Sequence, residues 1–127
     1  AISDASVLEE INGKLDSIEE VLKAPVDVRF DYALKLSQDL SRDREGARQE
    51  LELWIEFWRD TMLVRQGLNE HIKHLGRHSA MKAYADKLSL QQIARVMASI
   101  KQTMRYLEQN ANARLAIENM MLSLPQL

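Results

Sequence analysis

Apolar residues recur along this chain at steps of three and four, the period of one face of an α-helix, and almost nowhere at steps of two. Leu8, Ile11, Leu15, Ile18 and Leu22 form a first stripe. Ser6-Val7-Leu8-Glu9 before it has the form of a capping box, with Ser6 at the helix start and Glu9 reaching back. Pro25 ends this helix, because it lacks a donor and restricts Ala24. Asp27 is placed to cap a second helix running to about Leu40, with Phe30, Ala33, Leu34 and Leu36 as its buried candidates. A third helix is predicted from about Asp43 to Gln66. Its stripe is Ala47, Leu51, Trp54, Ile55, Trp58, Met62 and Arg65, with Leu63 beside it and Gly67 as the stop. Residues Leu68 to His78 are irregular and broken at Gly76, and a short helix follows around Met81 to Lys87. Ser89-Leu90-Gln91-Gln92 is a second capping box. It opens a long helix striped by Ile93, Val96, Met97, Ile100, Met104 and Leu107. After the polar hinge Gln109–Asn112, Asn112 caps a last helix that carries Leu115, Ala116, Asn119 and Leu122 on one side and stops at Pro125. Met120 and Met121 fall off that side and, like the other methionines, read as core fillers, with surface turned toward a partner as the alternative.

The pattern predicts an all-α fold: a single compact bundle of about five main helices plus a short one, spanning residues 1–127 as one domain. No linker, low-complexity tract or internal repeat divides it. Length and composition agree. The chain has 127 residues, 46% hydrophobic and 28% charged, which is enough for one core and typical of a globular chain. The start, AISDASVLEE, has no initiator Met and no leader pattern, and reads as part of a longer protein. No apolar run approaches a membrane span, so the expected place is the cytoplasm, away from membranes. Cysteine is absent, which excludes disulfides and thiolate zinc sites.

The net charge of −2 carries no global signal for nucleic acid, although the charge is uneven. Up to Lys23 there are six acids against two bases, and from Leu88 onward there are four bases (Arg95, Lys101, Arg105, Arg114) against two acids.

Chemistry is sparse. Phosphate-binding glycine loops, a serine elbow, a His-Glu-x-x-His pair and a calcium loop are all missing. No catalytic residue, cofactor site or resident metal is expected. The spacing of His71, His74 and His78 would put three imidazoles on one face of a helix, as a zinc site requires, but Gly76 inside the run favours a polar loop. The bases of the same stretch, Lys73, His74, Arg77, His78 and Lys82, could hold phosphates, but no aromatic residues interleave to stack bases, which favours a plainly solvated loop. Trp54 and Trp58 lie four apart and read as core, each indole N–H requiring a partner. One of them facing an interface is the alternative. Arg59 has the planar fork to clamp a carboxylate on a neighbouring helix.

Four stretches carry a resemblance. They are VDVRFDYALKLSQDLSRDREGARQELELW, LWIEFWRDTMLVRQG with its internal Trp-Arg-Asp, LSLQQIARVMASIKQTMRYLEQN, and NARLAIENMMLSLP. In order and spacing they resemble the C-terminal domain of the bacterial DNA polymerase III delta-prime subunit, a clamp-loader component. Ala113 stands where that family usually has proline, and Asn69 to Ser79 matches poorly. The resemblance implies a helical collar domain of the clamp-loader type. Such a domain is not an enzyme. It helps hold together the complex that loads the sliding clamp onto primed DNA within the polymerase holoenzyme, whose ATPase modules lie in other domains. The implied partners are other clamp-loader subunits (delta, gamma/tau), with clamp and DNA reached only through the whole complex. On the outer faces of the last two helices, Arg105, Gln109, Arg114 and Asn119 are the candidate interface residues, because they offer polar and planar groups beside apolar neighbours. Two rival functions remain at this level: a helical DNA-binding domain using the bases of the long helix after Ser89, and a small metal-binding helical protein built on the three histidines.

Overall fold

Two prolines and four glycines are the strongest interruptions the helical periodicity meets; Pro25, Gly67, Gly76 and Pro125 lie at breaks, whereas those at Asp43, Leu88–Ser89 and Gln109–Asn112 contain neither residue type. The computed structural model describes residues 4–127, so the first three positions of the expected 1–127 domain lie outside the described residues. Six α-helices follow in order: α1 (Asp4–Lys23), α2 (Val26–Arg42), α3 (Arg44–Arg65), α4 (His78–Lys87), α5 (Leu90–Glu108) and α6 (Ala113–Ser123). Short 3-10 turns at Asn69–His71 and Leu75–Arg77 fill the irregular stretch. No strand occurs among the described residues, and the fold is all-α, with α4 the shortest helix.

Several predicted ends are observed in atomic detail. Asp43 caps α3 by accepting from the Gly46 N–H at 3.0 Å. Both bonds of the Ser89–Gln92 capping box are made, at 2.8 and 3.1 Å. Asn112 accepts from the Leu115 N–H at 3.1 Å. Gly67, at φ 79°, closes α3 in a Schellman turn, with Leu68 N–H donating to the Leu63 carbonyl and Gly67 N–H to that of Val64. α5 ends in the same way through Asn110 at φ 57°, a position asparagine tolerates better than most residues.

Two caps differ from expectation. α1 is already helical at Asp4, so Ser6 lies inside the first turns rather than at the cap. α2 begins at Val26 with Pro25 at its cap position. Pro25 is fixed at φ −71° in extended geometry and makes no side-chain cap, and Asp27 instead places its charge in the first turn near the positive end of the helix dipole.

α3 runs through the middle and packs against α1, α2, α4 and α5, while α6 lies against α2 and α5. That position buries more of α3 than one stripe. Leu53, Phe57, Asp60 and Thr61 are buried with Ala47, Leu51, Trp54 and Trp58, whereas Ile55, Met62 and Leu63 are half-buried and Arg65 is exposed. Exposed Arg65 still donates to the Leu88 carbonyl at 3.0 Å. In α2, Ala33 and Leu36 are buried while Phe30 and Leu34 are half-buried. Trp54 and Trp58 are both fully enclosed, so neither faces an interface. The Trp54 indole donates to the Tyr32 hydroxyl at 2.9 Å, and that hydroxyl donates to Glu50. Burial first, and then the Glu50 charge, push the Tyr32 pKa well above its ordinary range. The Trp58 N–H, against expectation, has no partner among the described residues.

Two buried charges lock the packing. Arg29, 2% exposed, sits where α1 and α6 both end. Its guanidinium donates to the carbonyls of Val21 and Leu22 at the close of α1, at 3.1 and 2.9 Å. It also donates to those of Met121, Leu124 and Pro125 at the close of α6, at 3.4, 3.2 and 3.0 Å. Terminal carbonyls have no partner within their own helix and carry the negative end of the dipole, so one cation satisfies two helix ends at once. Asp60, wholly buried, accepts from the backbone N–H groups of Lys73 and His74 at 2.8–3.1 Å and pins the irregular loop to α3. Its neighbour Arg59 is exposed and clamps no carboxylate among the described residues.

Candidate functional site

The antiparallel pair α5 and α6 turns one side inward and leaves the other bare. Ile93, Val96, Ile100, Thr103 and Leu107 of α5 are buried, as are Ala116, Ile117, Met120 and Met121 of α6. The Asn110 turn and the Asn112 cap fix one end of the pair. A hydrogen bond of 2.6 Å between the Ser99 and Ser123 hydroxyls fixes the other.

The methionines of α6 follow the core-filling reading. Met120 and Met121 are at most 1% exposed, because α6 is wedged between two helices and buries adjacent positions against both. Leu115 and Leu122, read on one side of the helix with Ala116, are 56% and 61% exposed, while Ala116 is buried. With Asn119 they stand at i, i+4 and i+7, which lines them up on one outer face. A narrow apolar seam with a polar residue at its centre is the pattern that packs against another helix. Tyr106, 43% exposed, adds an aromatic residue on the outer side of α5.

All four predicted interface residues lie on exposed surface of this hairpin. Arg105 donates to the Gln102 amide oxygen at 2.7 Å. Gln109 occupies the C-cap of α5. Arg114 lies 3.5 Å from Glu118 one turn on. Asn119 sits within the leucine seam. What the sequence reading missed is the apolar part. Tyr106 lies next to Arg105 in a helix whose stripe runs elsewhere, and that offset is the signal that marks it.

The rival sites do not assemble. His71 lies 3.5 Å from Glu70, His74 Nε2 is 2.9 Å from Glu56, and His78 Nε2 is 3.0 Å from Asn69. The stretch forms two 3-10 turns rather than one helix, so the imidazoles point to three separate partners. No cluster of three metal-capable side chains forms among the described residues. The bases of the loop are committed as well: Lys73 to Glu56, Arg77 to Asp16 and Glu19, and Lys82 to Asp86. On α5, Lys101 and Arg105 share a face at i, i+4, but Arg95 lies six residues before Lys101 and points elsewhere, so no continuous basic stripe forms.

Among the described residues no helix is long and apolar enough to cross a membrane. Residues 30–126 match the family model described as DNA polymerase III, delta subunit, C terminal. No curated protein and no solved structure matches the chain. The matched span takes in most of α2, all of α3 to α5, and the whole α5–α6 hairpin, and leaves α1 outside.

Proposed function

The chain belongs to the family formed by the C-terminal domain of the delta subunit of DNA polymerase III, and from that premise we propose that it is a structural oligomerisation domain of a clamp loader. Its task on this reading is to hold subunits together while ATPase modules elsewhere in the complex load the sliding clamp onto primed DNA. The C-terminal domain of delta is a non-catalytic part of that assembly. The observation that carries the proposal is the bare outer face of α6. Leu115 and Leu122 flank Asn119 there, with Tyr106 and Arg105 on the adjoining helix. Exposed apolar anchors set among polar and planar groups are what a specific protein interface uses.

The finer assignment we favour is a delta-prime-like collar. The Trp58-Arg59-Asp60 and Asn112–Ala116 runs support it, although the matching family is described by delta. The structure makes part of the first run intelligible, since Trp58 is core and Asp60 pins a loop. The partners would be the delta and gamma/tau collars in the cytoplasm, with Arg105, Gln109, Arg114 and Asn119 at the contact.

Light scattering of this chain alone, and then mixed with the collar domains of the other clamp-loader subunits of its own organism, tests the proposal. A defined heteromeric mass is expected, and Leu115→Glu with Leu122→Glu should abolish it. A complex indifferent to both charges would remove this face from the contact, and a chain that ignores every partner collar would count against the assembly role.

A further inference from the structure

The bare face of α6 has a symmetry of its own. Asn119 lies half a residue from the midpoint between Leu115 and Leu122, which is about 0.8 Å along the helix axis. All three are exposed on the outer side, while Ala116, Ile117, Met120 and Met121 hold the inner side in the core. Steps of four and then three are those of a helix–helix seam, here with one polar residue between two leucines.

Turning this helix end for end about an axis beside Asn119 returns the same pattern. Leucine then lies over leucine at both ends, and asparagine over asparagine in the middle. An isologous contact has this property, because one patch meets its own copy. An amide both donates and accepts, so two asparagines facing each other across the axis satisfy one another. A different partner would have to offer a separately matched face, whereas a second copy supplies the match by itself. Tyr106 fits the same arrangement. It stands near the Leu115 end of the seam, since its carbonyl accepts from the Ala111 N–H at 3.0 Å in the turn joining α5 and α6. In an antiparallel contact it covers Leu122 of the second copy. Antiparallel helices also place opposite dipole ends together, where a parallel pair places like ends together. The opposing effect is Glu118, which approaches its own copy on one flank, but Arg114 lies 3.5 Å from it and offsets that charge.

We infer that the chain covers this face with a second copy of itself, as an antiparallel α6–α6 homodimer with Asn119 at the two-fold axis. Two leucines and one tyrosine per copy make a small contact, so the dimer is weak, with a dissociation constant on the order of 10–100 µM. A second copy and a partner subunit compete for one face, so self-capping keeps the apolar seam from water until a tighter partner displaces it. The inference rests on the reading of this face as a contact surface, and not on which clamp-loader subunits meet it.

The chain has no cysteine, so single cysteines in the whole 127-residue chain map the contact. Under mild oxidation Asn119→Cys should form a covalent dimer, its two sulfurs meeting across the axis. Leu115→Cys and Leu122→Cys should link poorly alone and readily when mixed. Lys35→Cys, exposed on α2, gives the yield from random collision. Asn119→Cys and the mixed pair should exceed that yield about tenfold, because docked thiols meet at roughly millimolar effective concentration. By light scattering the unaltered chain should rise from 14.6 kDa toward twice that mass. Asn119→Asp sets two carboxylates across the axis and should raise the dissociation constant about tenfold or more. A monomer mass up to about 1 mM would overturn the inference. So would Asn119→Cys linking no better than Lys35→Cys, or Leu115→Cys linking with itself better than with Leu122→Cys. Mixing with the other collars is a separate measurement, so a chain that stays monomeric alone leaves the assembly reading standing. A chain that dimerises in this way and ignores every partner collar keeps the inference and removes that reading.

Discussion

Arg29 is the residue on which the ends of the chain depend. Replacing it with methionine keeps much of the volume and removes the donor from five carbonyls at two helix ends, of which only those of Val21 and Met121 keep a backbone N–H partner. A loss of about 3 kcal/mol or more is expected in urea unfolding. Arg29→Lys keeps the charge but not the planar fork that reaches both helices, and about 1–2 kcal/mol should be lost. Glu56 gives a pH-dependent contribution. Burial by itself would raise its carboxyl, but hydrogen bonds from His74 and Lys73 outweigh that and hold it below its ordinary value of 4.5. A carboxyl lowered in the folded state stabilises above that ordinary value, and the stability is lost as pH falls through the lowered one. Unfolding free energy should therefore decline on acidification below about pH 4.5, and less steeply in Glu56→Gln when the two curves are compared.

At the scale of elements, two glycines should respond to the same substitution with opposite sign. Gly13 lies inside α1 with open space around it, so alanine there should stabilise by about 0.5–1 kcal/mol. Gly67 also has open space, but its φ of 79° closes α3, and alanine there should cost about 1–2 kcal/mol. Thermal unfolding of the two variants checks both signs. These ends were largely legible beforehand. Gly67, Ser89, Gln92 and Asn112 act through bonds to residues at most five positions away, and short-range geometry is what sequence reading captures. The cap assigned to Ser6 failed because α1 is helical at Asp4, where an upstream start competes with an equally plausible one two residues on.

At the scale of the whole molecule, α1 contacts α3 and α2 sparsely, and its first ten described residues are mostly exposed, while α3 is enclosed on several sides. Hydrogen exchange should therefore be fastest at residues 4–13 and slowest around Trp54 to Trp58. A uniform exchange rate along α1 and α3 would contradict this ordering. The α6 seam is exposed and carries no core contact, so Leu115→Glu and Leu122→Glu should change the melting temperature little while they affect assembly. Calorimetry of both variants separates the two effects.

What the sequence by itself determined is local: the helical period and most of the helix ends each follow from residues a few positions apart. Which side of a helix is buried depends on how many neighbours it meets, and that was decided only by the tertiary structure. One-sided packing was the natural expectation for α3 and α6. The first is surrounded and the second wedged, so Phe57, Met120 and Met121 go inside while Leu115 and Leu122 stay out. Arg29 reads as an ordinary charged residue in α2, because the carbonyls it satisfies at the end of α6 lie more than ninety positions away. Only the folded chain brings those carbonyls together around one buried position, and that is the physical reason a charge is found in the core.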